Sequence, residues 1–280
     1  MIPEPLTFSG LLLDRPHLMG VVNVTPDSFS DGGDFIDPKM AIAHGRMLIE
    51  AGADILDIGG ESTRPGSEPI SRDEECRRIL PVIEGLAAAG ALISVDTRHA
   101  DVMRRAIGAG ARIVNDVTAL TGDPASVGVC AETGVDIVLM HMQGEPRTMQ
   151  DNPSYDDVVM DIISYLHVRL EDLAAAGIAR HKVAIDPGIG FGKNLQHNLG
   201  ILAGIDAFHG LGQPLVLGVS RKSFISQIDR KADPKDRVAG SIAAAIAAWD
   251  RGVQIFRVHD VAETRQALAV WQAIEEVDDI

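Results

Sequence analysis

Cysteine is nearly absent: 280 residues hold two, Cys76 and Cys130, and no Cys-x-x-Cys spacing. Two thiols so far apart make neither a disulfide framework nor a zinc knuckle, and buried thiols in a reducing compartment are the plain reading. Basic charge is scarce as well. Lys plus Arg number 25 against 40 Asp plus Glu, a net charge of −15. Such a chain lacks the broad cationic face that nucleic acid or an anionic membrane requires. An anionic substrate must therefore be gripped by a local cluster of cations against the field of the whole molecule. Long apolar runs are missing too. The longest covers 242–249, far short of the roughly 20 residues of a membrane span. The opening Met-Ile-Pro-Glu-Pro has no basic stretch and carries two prolines, which speaks against a secretory signal. A cytoplasmic protein is expected. It is globular, because 46% of the residues are hydrophobic and 23% charged.

What the chain does have is a repeat of strand, loop and helix. Short apolar runs occur at 18–24, 54–58, 92–95, 112–114, 136–140, 182–185, 214–219 and 254–258. Most are apolar throughout, as in parallel strands covered on both faces. Helical patterns fill the gaps. Ser71 and Glu74 form a capping-box pattern ahead of an apolar stripe at Cys76, Ile79, Leu80 and Ile83, and Gly90 can close that helix. The last helix carries Ala267, Val270, Trp271, Ile274 and Val277 on one face. Eight units of about 33 residues fit a (β/α)8 TIM barrel. A Ser-Gly turn between apolar stretches in residues 6–16 predicts an N-terminal β-hairpin plugging the barrel bottom. The expected organisation is one domain over 1–280, with the hairpin in 1–17 and the barrel in 18–280. A doubly wound open sheet is the runner-up, but no glycine fingerprint follows the first strand.

In a barrel of this kind the chemistry sits where strands end. Those ends carry Asn23, Asp57, Asp96, Asn115, His141, Asp186, Lys222, Arg257 and His259. One polar residue there is an ordinary helix cap. Nine exceed what capping explains, because buried polar and charged groups are costly to keep idle. Asp96, Asn115 and Asp186 suit a neutral heterocycle with amino and ring N–H groups. Lys222, Arg257, His259 and Arg64 read as cations for phosphate. Asn23 offers an uncharged oxygen, suited to a magnesium ion that keeps its waters and binds substrate phosphate. The site reads as a heterocycle joined to a phosphate or diphosphate.

Two glycine-rich loops, 25–33 and 59–66, each hold one large or cationic group, Phe29 and Arg64. They read either as surface loops or as lids that exclude water. A third run, 186–193, imitates nucleotide motifs and fails them. Lys193 is followed by Asn194 rather than Ser or Thr, and Pro187 stands where a P-loop needs glycine. Lys193 also occupies the third glycine of the dinucleotide pattern. The run is expected to be a tight loop presenting Asp186 and Phe191. His44, His167, His181, His197 and His209 read as surface or packing residues. His141 reads equally as pocket-lining or as support behind the pocket.

Taken together, these segments resemble the dihydropteroate synthases, the folate-pathway family of pterin-binding barrels. The carrying motifs are 20–33, 57–66, 94–97, Asn115-Asp116, 140–144, 186–193, 218–223 and 257–260, nearly the whole chain. The resemblance implies condensation of 6-hydroxymethyl-7,8-dihydropterin diphosphate with p-aminobenzoate, giving 7,8-dihydropteroate and diphosphate by SN1-like departure of diphosphate. It implies a pterin site of Asp96, Asn115, Met140, Asp186, Phe191, Gly218 and Lys222, with Asp96, Asp186, Lys222 and Arg257 as the catalytic set. It implies a diphosphate site of Asn23, Arg64, Arg257 and His259, with Mg2+ at Asn23. The p-aminobenzoate site would comprise Phe29, Thr63, Pro65, Phe191, Lys222 and Ser223. Sulfonamides are then expected inhibitors and a homodimer the expected assembly. The alternatives are a catalytically inactive paralogue and a related pterin-binding methyltransferase. The latter would have no use for Arg64, Lys222, Arg257 and His259 together.

Overall fold

The computed structural model describes residues 6–25, 37–62, 69–145 and 148–277. Phe29, Thr63, Arg64 and Pro65, and with them most of the two candidate lids, lie outside the described residues. The chain opens with a two-stranded antiparallel hairpin, β1 (Thr7–Phe8) and β2 (Leu11–Leu12). Ser9 and Gly10 both take positive φ, 51° and 82°, the backbone of a two-residue type I′ turn.

Eight parallel strands follow: β3 (His17–Asn23), β4 (Ile55–Gly59), β5 (Ile93–Asp96), β6 (Ile113–Asp116), β7 (Asp136–Met140), β8 (Val183–Asp186), β9 (Val216–Leu217) and β10 (Ile255–Val258). Their order around the sheet is β8-β7-β6-β5-β4-β3-β10-β9. A parallel bridge from Ile185 to Leu215 joins the two ends and closes the barrel. The helices between them are α1 (Pro38–Glu50), α2 (Arg72–Ala87), α3 (Ala100–Gly108), α4 (Ser126–Thr133), α5 (Val158–Ala175), α6 (Leu195–Ala203), α7 (Ser223–Ile228), α8 (Val238–Trp249) and α9 (Val261–Glu275).

Alternation along the strands builds two cores. Outward residues such as Leu56, Val95, Val114, Leu139, Ile185 and Phe256 pack under the helices. Inward residues Met19, Ile55, Ile113, Val138, Ala184, Val216 and Ile255 meet in the barrel's lower half, and Phe8 of the hairpin packs among them. The expected plug is therefore present. His17 ties it down, its Nε2 2.8 Å from the Leu12 carbonyl oxygen.

Several local expectations change. Four strands, β4, β5, β6 and β8, run one or two residues past their expected ends and take in Gly59, Asp96, Asn115 and Asp186. Ser71 caps α2 by accepting from the Glu74 amide at 3.2 Å. The Glu74 carboxylate does not return the bond but grips Arg77 and Arg78, so the capping box is half formed. The apolar stripe of α9 faces outward. Val270, Ile274 and Val277 are all more than half exposed, and Val261, Thr264 and Leu268 face the barrel instead.

Candidate active site

Two residues beyond the apolar inner layer, four of the inward positions become polar. Ile55 gives way to Asp57, Ile113 to Asn115, Ala184 to Asp186 and Ile255 to Arg257. A period of two puts each pair on one side of its strand. The C-terminal mouth of the barrel is thus floored by polar groups on an apolar base. There a cleft of about 360 Å³ opens, lined by Asp96, Asn115, Met140, Asp186, Phe191, Gly218, Lys222 and Arg257, with Val117, Gly188 and Ile189. All seven residues expected around the pterin share this cleft.

Arg257 crosses its floor. Its Nε donates to Asp57 Oδ2 at 2.6 Å and its Nη2 to Asp96 Oδ2 at 2.9 Å. Asn115 Nδ2 donates to the same Asp57 oxygen at 3.1 Å. Asp57 is fully buried just beneath the cleft. Burial pushes the Asp96 carboxyl up to about 7 against the pull of Arg257. It raises Asp186 as well, although the Gly188 amide donates to Asp186 Oδ1 at 2.7 Å. Burial disfavours the Arg257 charge, yet Asp57 and Asp96 more than offset it and hold the guanidinium protonated. Burial also lowers Lys222, opposed by Asp186, to about 8. Its ammonium sits 4.2 Å above the Phe191 ring centre, a cation–π contact.

Burial and the charges of Arg257 and Arg221 depress His259 to about 3, which favours its neutral form. Ser220 Oγ accepts from the His259 amide and lies 3.1 Å from Nδ1. Ser223 stands exposed at the first position of α7, next to Lys222. Asn23 ends β3 in register with Gly59, which is itself in register with Asp96. No three His, Cys, Asp or Glu side chains among the described residues gather as a metal cage. One neutral oxygen donor at the same end of the barrel as Lys222 and Arg257 fits the kind of ion that keeps its waters and arrives with phosphate.

The 187–193 loop is held hard. Gly188, Gly190 and Gly192 have φ of 73°, 83° and 63°. A Cβ on Gly188 would lie 2.0 Å from the His141 carbonyl oxygen. Lys193, nearly sealed from solvent, spans the gap to β7. Its Nζ lies 3.0 Å from His141 Nδ1, 3.2 Å from the His141 carbonyl oxygen and 2.9 Å from that of Phe191. These three contacts match the three N–H bonds Lys193 carries when protonated, and burial, opposed by Asp186, lowers that lysine to about 7. Burial and Lys193 keep His141 neutral, near 3, so His141 supports the loop from outside the cleft lining. Sequence reasoning passed over Lys193 because it was weighed only as a nucleotide-motif lysine. It passed over Val117 and Ile189 because apolar lining residues carry no charge signal.

A family model described as pterin binding enzyme matches residues 19–259. The chain is a member of the dihydropteroate synthase family of pterin-binding enzymes. The dihydropteroate synthase of Escherichia coli strain K12 is 46% identical over 266 residues, covering 95% of this chain and 94% of the relative. Among solved structures, Xanthomonas albilineans dihydropteroate synthase with 4-aminobenzoic acid superposes with a TM-score of 0.89 at 48% identity, covering 95% of both chains. The same enzyme in complex with 7,8-dihydropteroate gives 0.86 at 46% identity, again over 95% of both chains.

Proposed function

We propose that this pterin-binding barrel condenses 6-hydroxymethyl-7,8-dihydropterin diphosphate with p-aminobenzoate, forming 7,8-dihydropteroate and diphosphate. One observation carries the reading. Acceptors for a heterocycle (Asp96, Asn115, Asp186) and cations for phosphate (Lys222, Arg257) line a single cleft. The family relationship supports it over nearly the full chain.

Asp186 has one oxygen committed to the Gly188 amide, which leaves the other for the pterin's amino and ring N–H groups. Met140 packs on the ring. The C–O bond to diphosphate breaks with its electron pair going to the leaving group, and the electron-rich pterin carries the resulting positive charge. The buried carboxyl groups Asp96 and Asp186 favour that charge as it develops, an effect aimed at the transition state. The neutral arylamine of p-aminobenzoate then forms the C–N bond, and its proton departs to diphosphate or water. No general base is required. Arg257 and His259, with Arg64, would receive the diphosphate. Asn23 would offer its oxygen to Mg2+, which when bound neutralises the leaving group. Phe191, Lys222 and Ser223, with Phe29, Thr63 and Pro65, would form the p-aminobenzoate site that sulfonamides mimic.

Diphosphate release measured with each substrate withheld in turn tests the reaction. Continuous release over many turnovers, matched by 7,8-dihydropteroate formed, is expected only when both are present. Continuous release without p-aminobenzoate, or corrinoid-dependent methyl transfer in place of condensation, overturns the reading. Chelation of Mg2+ should suppress turnover, and full activity in chelator would remove Asn23 from metal binding. The outward apolar face of α9, with Trp271 edge-on to Trp249, supports a homodimer, which light scattering checks. The free, buried Cys76 and Cys130 suit the cytoplasm.

A further inference from the structure

We propose that Asp57 is a positioning residue that fixes which hydrogen-bonding face Asn115 shows the pterin and ties that choice to Arg257. The proposal rests on the pterin reading of the cleft. Asp57 is fully buried and lies outside the cleft lining, so it acts only through its neighbours. Its Oδ2 accepts from Asn115 Nδ2 and from Arg257 Nε. A carboxylate oxygen can only accept. Asn115 must therefore turn its NH2 group down toward Asp57 and its carbonyl oxygen up into the cleft. Without that constraint a side-chain amide can flip and present a donor in place of an acceptor. A heterocycle edge built of N–H donors would then meet a donor.

The bonding pattern separates this role from simple charge pairing. An arginine paired for charge alone favours the two-oxygen fork with one carboxylate. Here the fork is split between Asp57 and Asp96, and Asp57 Oδ1 is buried without a partner. Everything Asp57 bonds passes through the one oxygen that Asn115 and Arg257 share. The pterin-reading amide on β6 and the arginine on β10 are thereby set by a single atom of β4.

The test is a double-mutant cycle read by calorimetry with 6-hydroxymethylpterin, which lacks the diphosphate. Asp57→Ala should weaken binding by about tenfold or more when Asn115 is present, the scale of a lost hydrogen bond. In an Asn115→Ala background the same change should cost less than about twofold. Asp57→Asn should recover most of the affinity, because its carbonyl oxygen can still accept from both neighbours. Losses that add independently of Asn115, or no recovery with Asp57→Asn, overturn the proposal. If Asp57→Ala fails to fold, Asn115→Asp serves instead. It keeps an acceptor toward the pterin but sets two carboxylates together, and these must share a proton. Its affinity should recover from pH 8 to pH 6 by more than that of the unaltered protein, and equal pH responses overturn the role. If the unaltered protein binds no pterin, the functional reading falls. If it binds and the cycle is additive, only the positioning role falls.

Discussion

At the scale of single residues, burial sets the charge of the site. It lifts carboxyls, lowers lysines and silences histidines, and the surviving charges are those with close partners. Asp186→Asn keeps an oxygen for the Gly188 amide but turns a donor toward the pterin's own donors. Affinity for the pterin diphosphate should fall by about 10²-fold or more by calorimetry. Glu75 offers a pH test away from the cleft. It is buried on α2, and burial pushes it up to about 7 although Thr97 is near enough to ease its charge. Its folded pKa lies above its unfolded one. Its contribution to stability is thus complete below the ordinary carboxyl range and is lost as pH rises toward 7. Glu75→Gln removes this titration. Relative to the unaltered protein it should gain about 3 kcal/mol between pH 4 and pH 8, read from urea midpoints at both pH values. A gain that does not change with pH would contradict the buried-carboxyl account.

At the scale of elements, the β8–α6 loop shows what glycine and lysine achieve together. Left-handed backbone at three glycines allows the chain to double back against β7, and Lys193 staples it there. Gly188→Ala would force a Cβ onto the His141 carbonyl in a left-handed conformation. It should move the loop, displace Phe191 and lower kcat/KM by more than about tenfold, the cost of misplacing groups by an ångström or so. Activity equal to that of the unaltered protein would show the loop to be adaptable. The polar strand ends were legible because idle buried charge is improbable. The orientation of α9 was not. Its apolar stripe satisfies helical spacing equally well against the barrel or on an outer face, and spacing alone does not distinguish a core from an interface.

At the scale of the whole molecule, two cores divide the labour. The ring between strands and helices holds the barrel, and the small inner core closes its bottom. Phe8 is almost wholly buried in that inner core, on the side away from the cleft. Phe8→Ala should cost about 3–5 kcal/mol, visible as a lowered Tm, while KM for both substrates at 25 °C stays unchanged. A raised KM with unaltered Tm would mean that the plug shapes the mouth.

Sequence alone determined the barrel, the hairpin and the set of polar strand ends, because hydrophobic period and the cost of burying charge are local properties readable residue by residue. Only the tertiary structure decided that Asp57 and Asp96 divide one arginine, that Asn115 donates to Asp57, and that Lys193 pins a loop. Those outcomes depend on distances between strands up to 200 positions apart in the chain and on how much water each group loses. Neither quantity is written in any single stretch of residues.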